Sequence, residues 1–398
     1  MQASSGSSLS PPFDAHIAKL DYAALAPHVS GKFLKSAGNH LFVKMGGNIL
    51  NEHAALRLQH QRPSVFRQPD SFMYADNCRE LQAAAQRGEV ELHAWTRGSY
   101  PGTSLGERLP GVRTVGFWDA RNKQAWGLGT HCNEGFKIAY LARGNLNLVV
   151  DDCAYELEQG QFIVIRPWQL HSIGNPVVDA SKLLWVILDA GLRRPSEPCH
   201  WPNWLVFSRD EADALDRLLT QNNQPVWDAG SDLRRTFEAL APILLERMPK
   251  DGETRLKVAL NAIMISLIER MSEQAPKLDP NLSTSQHTVA IFLRRLGLAL
   301  GEAWTLETMA EECGLSRTRF SEHCKQLTNM TPWHYLQHLR LEEASRLLAN
   351  SNRQSVTEIA FSCGFNSSQY FSNAYRRRYG CAPTISRRGS TVQIGTPS

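Results

Sequence analysis

Two stretches near the end of the chain carry side chains suited to reading nucleic acid. Residues 316–327 offer Arg317, Thr318, Arg319, Glu322 and His323. Residues 367–378 offer Ser367, Ser368, Gln369, Asn373 and Arg376, with Arg377 and Arg378 following. Arginine matches the paired acceptors on the major-groove edge of guanine, and Gln or Asn matches the donor–acceptor pair of adenine. Arg377 and Arg378 suit phosphate, where they add affinity without sequence discrimination. This chemistry requires each set to project from one exposed helix face.

The surrounding sequence supplies such helices twice. Residues 305–332, TLETMAEECGLSRTRFSEHCKQLTNMTP, resemble residues 355–383, SVTEIAFSCGFNSSQYFSNAYRRRYGCAP. Leu306, Met309, Ala310, Cys313, Gly314 and Leu315 correspond to Val356, Ile359, Ala360, Cys363, Gly364 and Phe365 at an offset of 50. After one extra residue, Phe320, Cys324 and Pro332 correspond to Phe371, Tyr375 and Pro383 at an offset of 51. In each copy a small Ala permits close helix approach and a Gly turns the chain sharply. A polar cap follows, Ser316 or a residue within Asn366–Ser368, and opens a second helix. Its anchors four residues apart face inward, which leaves a polar and partly basic outer face. This is the pattern of a helix-turn-helix. Between the copies, TPWHYLQHLRLEEASRLLANS predicts one continuous helix with Trp333, Leu336, Leu339, Leu341, Ala344, Leu347 and Leu348 on its apolar face. Arg340 and Arg346 are expected to pair at the surface with its glutamates. About 18 residues span roughly 27 Å at 1.5 Å each. A rod of that length suits two reading helices entering successive major grooves about 34 Å apart.

The 398 residues suggest two or three domains. Net charge is only +4, but residues 282–398 hold 13 Lys and Arg against 8 Asp and Glu. A basic module is thus joined to a near-neutral body. No stretch approaches the roughly 20 apolar residues of a membrane helix. The opening MQASSGSSLSPPFDAH lacks the pattern of a secretory signal. The eight cysteines are scattered with no CxxC pair, which fits a reduced, cytoplasmic setting.

Residues 1–78 give no clear pattern and are taken as a partly disordered extension. From about residue 90 the texture becomes short apolar runs broken by turn residues, such as FKIAYLARGNLNLVV, AYELEQGQFIVIRP and LLWVIL. These read as antiparallel strands of a sandwich or small barrel. Helical spacing takes over from Ser208. In GETRLKVALNAIMISLIERM, Leu256, Leu260, Ile263, Met264, Leu267 and Ile268 form one stripe. That stripe suits packing onto the strands, with a dimer seam as the alternative. PKLDPNLSTSQ (276–286) reads as a linker, and residues 389–398 as a disordered tail. The fold class is therefore α+β multidomain: an antiparallel β barrel over 90–205, linker helices over 206–275, and an all-α domain over 286–388.

Residues of about 286–388 resemble the DNA-binding domain of the AraC/XylS family of bacterial regulators. The resemblance is carried by QSVTEIAFSCGFNSSQYFSNAYRRRYGCAP. One departure is Ile385-Ser386-Arg387, where the family has an aromatic-Arg pair after the final Pro. The stretch from GTHCNEGFKIAYLARG to GQFIVIRPWQLHSIGN resembles a cupin barrel, the usual sensory domain of that family. The resemblance puts His131 at the first His of a metal-binding cupin, Asn133 at the second, Lys137 at the Glu and His171 at the third His. Two ligands are too few for a stable metal site, and a lysine puts positive charge where the cation would sit. Cys132 and Glu134 offer substitutes, but neighbours on a strand face opposite ways.

The reading is a sequence-specific transcription regulator rather than an enzyme, with no cofactor. Its partners are double-stranded DNA, a second copy of the chain, RNA polymerase, and a sugar-like or anionic effector held by His131, Lys137, Trp168 and His171; no membrane is involved. The alternative is a cupin metalloenzyme that carries its helices as an accessory.

Overall fold

The computed structural model describes residue 66 and residues 78–391, apart from 99, 134, 247–251 and 351–353. Most of the extension read over 1–78 and most of the tail read over 389–398 lie outside the described residues. Contacts divide the chain into one unit over Phe66–Thr288 and a second that includes the chain from Val289.

The first unit is built on strands β1 (Glu91–Thr96), β2 (Thr103–Ser104), β3 (Val112–Ala120), β4 (Leu128–His131), β5 (Phe136–Arg143), β6 (Asn145–Val150), β7 (Cys153–Glu158), β8 (Gln161–Ile165), β9 (His171–Ile173), β10 (Ser181–Leu188) and β11 (Val226–Asp228). One sheet runs β11-β8-β5-β10-β3-β1-β2 and the other β4-β9-β6-β7. The apolar runs seen in the sequence are strands, and all pairings are antiparallel except β1 with β2. The inward faces of both sheets enclose one core, including Trp118, Leu128, Ala139, Leu141, Leu148, Ile173 and Trp185.

β5 is buried on both faces. Its outward Tyr140 stacks on Phe237 at 5.7 Å between centroids. Phe237 lies on α3 (Gly230–Glu238), which follows α1 (Arg79–Gln86) and α2 (Arg209–Thr220) and precedes α4 (Leu240–Leu245) and α5 (Gly252–Glu273). A full capping box, Ser208 with Glu211, opens α2. The stripe Leu256, Leu260, Ile263, Met264, Leu267 and Ile268 on α5 is buried within the protomer. It therefore serves packing rather than a dimer seam.

From Ser285 the chain is helical: α6 (Ser285–Leu296), α7 (Leu306–Glu312), α8 (Arg317–Thr328), α9 (Pro332–Asn350), α10 (Val356–Ser362), α11 (Ser368–Tyr379) and α12 (Pro383–Thr391). α7–α8 and α10–α11 are the two helical pairs of the repeat. α9 runs unbroken between them. Its apolar face differs from expectation at two places. Trp333 is 47% exposed, while Arg340 is only 4% exposed. Leu336, Arg340 and Ala344 follow at four-residue spacing, so the helical period puts the arginine inside the buried stripe. Its Nε donates to Leu300 O at 3.0 Å and its Nη2 to Glu302 O at 2.8 Å. Arg346 does pair at the surface, with Glu343 at 2.6 Å. Among the described residues no helix is long and apolar enough to cross a membrane.

Candidate functional site

Each reading helix is fixed by local chemistry. Cys313 and Cys363 close the first helix of each pair, and Gly314 (φ 66°) and Gly364 (φ 83°) then take the left-handed conformation. Ser316 Oγ accepts the Arg319 N–H at 3.3 Å and Ser367 Oγ accepts the Tyr370 N–H at 3.3 Å. Both satisfy an otherwise orphaned donor of the first turn. The inward anchors Phe320, Cys324, Phe371 and Tyr375 are all fully buried. Phe320 meets Phe292 edge-on at 5.6 Å, and Phe371 meets Tyr375 at 5.5 Å.

The outer face of α8 presents Arg317, Thr318, Arg319 and Glu322, all exposed. Arg317 pairs with Glu307 of α7 at 2.8 Å, and Arg319 approaches Glu322 at 3.8 Å. These exposed pairs are weak and yield readily to a polyanion. His323, expected among this outward set, is instead buried, with Nδ1 3.3 Å from Gln326 Oε1. It stands three residues after Phe320 and one before Cys324, which puts it on the inward side. On α11, Gln369, Asn373, Arg376 and Arg377 are exposed, Ser368 is half-buried, and Ser367 is occupied as the cap. Arg378 lies 4.0 Å from Glu342 of α9.

The barrel holds a second cluster. β4 and β9 pair so that His131 stands opposite His171, with ring centroids 4.2 Å apart. Lys137 reaches them from β5 in the facing sheet, with Nζ 3.4 Å from His171 Nε2. Asn133, just past β4, puts Nδ2 3.3 Å from the same nitrogen. A small cavity of about 40 Å³ opens beside this group, between the sheets. His131, Asn133 and Lys137 line its polar end, and Leu128, Trp118 and Trp185 are among its apolar walls. Burial pulls the Lys137 amine down to about 8 and His131 down to about 3. His171 is lowered for the same reason, with the nearby His131 and Lys137 charges adding to it.

Not every residue expected here takes part. Trp168 is absent from the cavity wall. It sits in the turn between β8 and β9 with φ 61°, its ring edge-on to Phe66 at 5.7 Å. His171 approaches Lys137 but is not part of the wall. Trp118 and Trp185 belong to both core and wall. Tyr100 and Thr114 were missed, because sequence spacing does not reveal which strand ends meet across a barrel; Asn133, placed by the cupin resemblance at the second His position, also lines the wall.

The cluster does not suit a metal. His171 Nδ1 lies 3.0 Å from Gln169 O and must donate to it, which leaves Nε2 as acceptor. That lone pair is met by the Lys137 amine and the Asn133 amide instead of opening toward a cation. Among the described residues no three His, Cys, Asp or Glu side chains converge to hold a metal ion. Glu134, weighed as a substitute ligand, lies outside the described residues.

Comparison with known proteins is consistent with both regions. A family described as a helix-turn-helix domain matches residues 309–389, and one described as a cupin domain matches residues 122–187. The chain is 26% identical over 254 residues to the HTH-type transcriptional activator RhaR of Klebsiella pneumoniae, covering 64% of this chain and 85% of that one. It is 44% identical over 93 residues to the HTH-type transcriptional activator RhaS of Escherichia fergusonii, covering 23% of this chain and 33% of that one. With RhaS of Escherichia coli the identity is 36% over 153 residues, 38% of this chain and 55% of the other. The chain thus spans between a third and about half of these two RhaS proteins. Among solved structures, the DNA-binding domain of AdpA in complex with a target DNA is 30% identical, covering 27% of this chain and 97% of that one at a TM-score of 0.26. An AraC-type regulator from Chromobacterium violaceum is 28% identical, covering 28% and 97% at a TM-score of 0.26.

Proposed function

We propose that the chain is an AraC/XylS-type protein, a cupin domain followed by a double helix-turn-helix domain, and that it is a sequence-specific DNA-binding transcription activator controlled by a small effector in the barrel. One observation carries the proposal. Two capped helices, α8 and α11, hold exposed Arg, Thr, Gln and Asn side chains at either end of the unbroken α9. Nineteen residues at 1.5 Å each give a rod of about 28 Å, the scale of one groove repeat. The proposed base readers are Arg317, Thr318, Arg319 and Glu322 on the first helix and Ser368, Gln369, Asn373 and Arg376 on the second. Arg377 is assigned to phosphate. His323 and the capping Ser367 act as supports for the helices.

The relatives named as activators support activation as the mode. Activation implies RNA polymerase as a partner, and the cytoplasm as the place of action. A homodimer would supply a second domain for a second half-site. The proposed limits are 90–205 for the effector domain, 206–275 for the linker helices and 286–388 for the DNA-binding domain. An effector that favours one arrangement of the chain shifts DNA affinity by its differential binding to the two.

The test is a gel shift on the DNA upstream of the protein's own gene, repeated at several salt concentrations. Arg317→Ala or Gln369→Ala is expected to cost about 1–3 kcal/mol on the specific site, relaxing discrimination at one base pair each. Equal binding to every sequence by the unaltered protein would overturn the reading.

A further inference from the structure

Resting on the reading of the barrel cavity as the effector site, we propose that the effector is a small aldehyde or ketone captured covalently as an imine on Lys137 Nζ. A carboxylate beside a buried amine would hold it as an ammonium. Here the groups facing Nζ are His171 on β9, His131 on β4, Asn133 just past β4 and the Cys78 thiol ahead of α1. None of them carries a negative charge at neutral pH. Burial pushes the Cys78 thiol up to about 11 and keeps both imidazoles neutral. Among the described residues no carboxylate pairs with the amine.

Attack on a carbonyl requires the unprotonated amine. With Lys137 lowered from 10.5 to about 8, roughly 300-fold more of it is free at pH 7 than in an ordinary lysine. His171 Nδ1 donates to Gln169 O, so its Nε2 accepts an N–H from Lys137 at 3.4 Å and leaves the amine lone pair unspent. The Asn133 amide has two N–H donors, one of them within reach of His171 Nε2 at 3.3 Å, and the other suits a carbonyl oxygen. The step balances within the site. The Nζ lone pair forms the C–N bond while the carbonyl π pair moves to oxygen. That oxygen then leaves as water with both protons of the nitrogen, and C=N remains. An imine is a weaker base than the amine, so the adduct also relieves the cost of a buried charge.

The cavity limits the size of the carbonyl compound. Its volume is about 40 Å³, against about 10–15 Å³ for one water-sized occupant, which leaves room for about three heavy atoms. Leu128, Leu183 and Ile187 make part of the wall apolar. The two indole N–H groups on it are spent inside the protein, Trp118 on Ser181 Oγ at 3.3 Å and Trp185 on Thr114 Oγ1 at 3.2 Å. Hydroxyls or a second charge would find few partners there, so the wall selects a short apolar body over a sugar.

The test treats the full chain at pH 7 with acetaldehyde or acetone, and with benzaldehyde as an oversized probe, in the presence of cyanoborohydride. That reagent reduces an imine to a stable amine and does not fix a thiohemiacetal on Cys78. Peptide mass spectrometry then compares Lys137 with the exposed Lys123 and Lys325. Lys137 is expected to be trapped at least about ten-fold faster than either by the small probes, and more slowly than either by benzaldehyde. The advantage should shrink as pH rises toward 10.5, where the surface amines are free as well. Asn133→Asp puts a carboxylate beside the amine at almost unchanged volume and is expected to remove the advantage. Equal rates at Lys137 and the surface lysines, or equal trapping in wild type and Asn133→Asp, would overturn the imine. The wild-type rates decide alone if the variant fails to melt cooperatively. A gel shift on the trapped protein, with Lys137→Met treated alike as the reference, separates the two readings. Trapping with a changed DNA affinity supports both. Trapping with the affinity unchanged overturns the effector reading. A change caused by a probe that leaves Lys137 unmodified keeps the effector site and overturns the imine.

Discussion

At the scale of the residue, two buried cations are held in opposite ways. Arg340 is paired: its guanidinium closes onto the carbonyls of Leu300 and Glu302, joining the loop before α7 to the middle of α9. Arg340→Ala leaves those carbonyls without their partner and opens a cavity, so a loss of about 2–4 kcal/mol in denaturant stability is expected. Lys137 has no carboxylate among the described residues, and its amine falls from 10.5 to about 8. Because the folded value lies below the unfolded one, the unfolded chain binds the extra proton between about pH 8 and 10.5. Below that window the folded barrel bears the full cost of the buried charge, and above it none. Lys137→Met is therefore expected to stabilise the ligand-free barrel by a few kcal/mol at pH 7, with the gain fading as pH rises toward 10.5. Chemical denaturation of both proteins at pH 7, 9 and 10.5 checks this. A gain that does not change with pH would mean the methionine acts through packing alone.

At the scale of the element, the two helix pairs depend on backbone conformation as much as on side chains. Gly364 and Gly380 both have positive φ, 83° and 75°. A Cβ on Gly364 would lie 2.2 Å from Leu300 O and 2.6 Å from Arg340 Nη2, whereas a Cβ on Gly380 meets nothing within 4 Å. Gly380→Ala is then expected to cost only the left-handed strain, about 1 kcal/mol. Gly364→Ala adds a clash that backbone must move to relieve, and should cost several times more. Comparing their melting temperatures checks the order. The caps are a milder case. Ser316→Ala removes the acceptor for the Arg319 amide and should cost about 1 kcal/mol. Its effect on DNA affinity should follow the stability loss and leave base preference unchanged.

At the scale of the whole molecule, charge placement governs partners more than net charge does. The chain is only +4 overall, yet α11 alone ends in Arg376, Arg377 and Arg378. Polyanion binding releases one counterion for nearly every phosphate neutralised. Arg377→Ala is thus expected to lower affinity about equally for all sequences and to reduce the slope of log K against log salt by about 1. Filter binding from 50 to 300 mM salt measures it. A loss confined to one base position would instead make Arg377 a base reader.

Local sequence determined the helical half of the protein. A repeat with matched Ala, Gly, cap and anchor positions specifies two helix pairs, because helix starts, stops and inward faces depend on residues within four positions of each other. By the same local rule the inward turn of His323 and Arg340 was legible, from Phe320–His323–Cys324 and Leu336–Arg340–Ala344. The strand content of the barrel and its cupin resemblance were legible too. Only tertiary structure decided what the barrel encloses. His131 and His171 are 40 positions apart and meet through the pairing of β4 with β9. Lys137 joins them from the opposite sheet, and Trp168 turns away to Phe66. Strands buried on both faces, like β5, lose the alternation that would mark an inward residue. The contents of the cavity were therefore set by long-range pairing, to which spacing along the chain gives no guide.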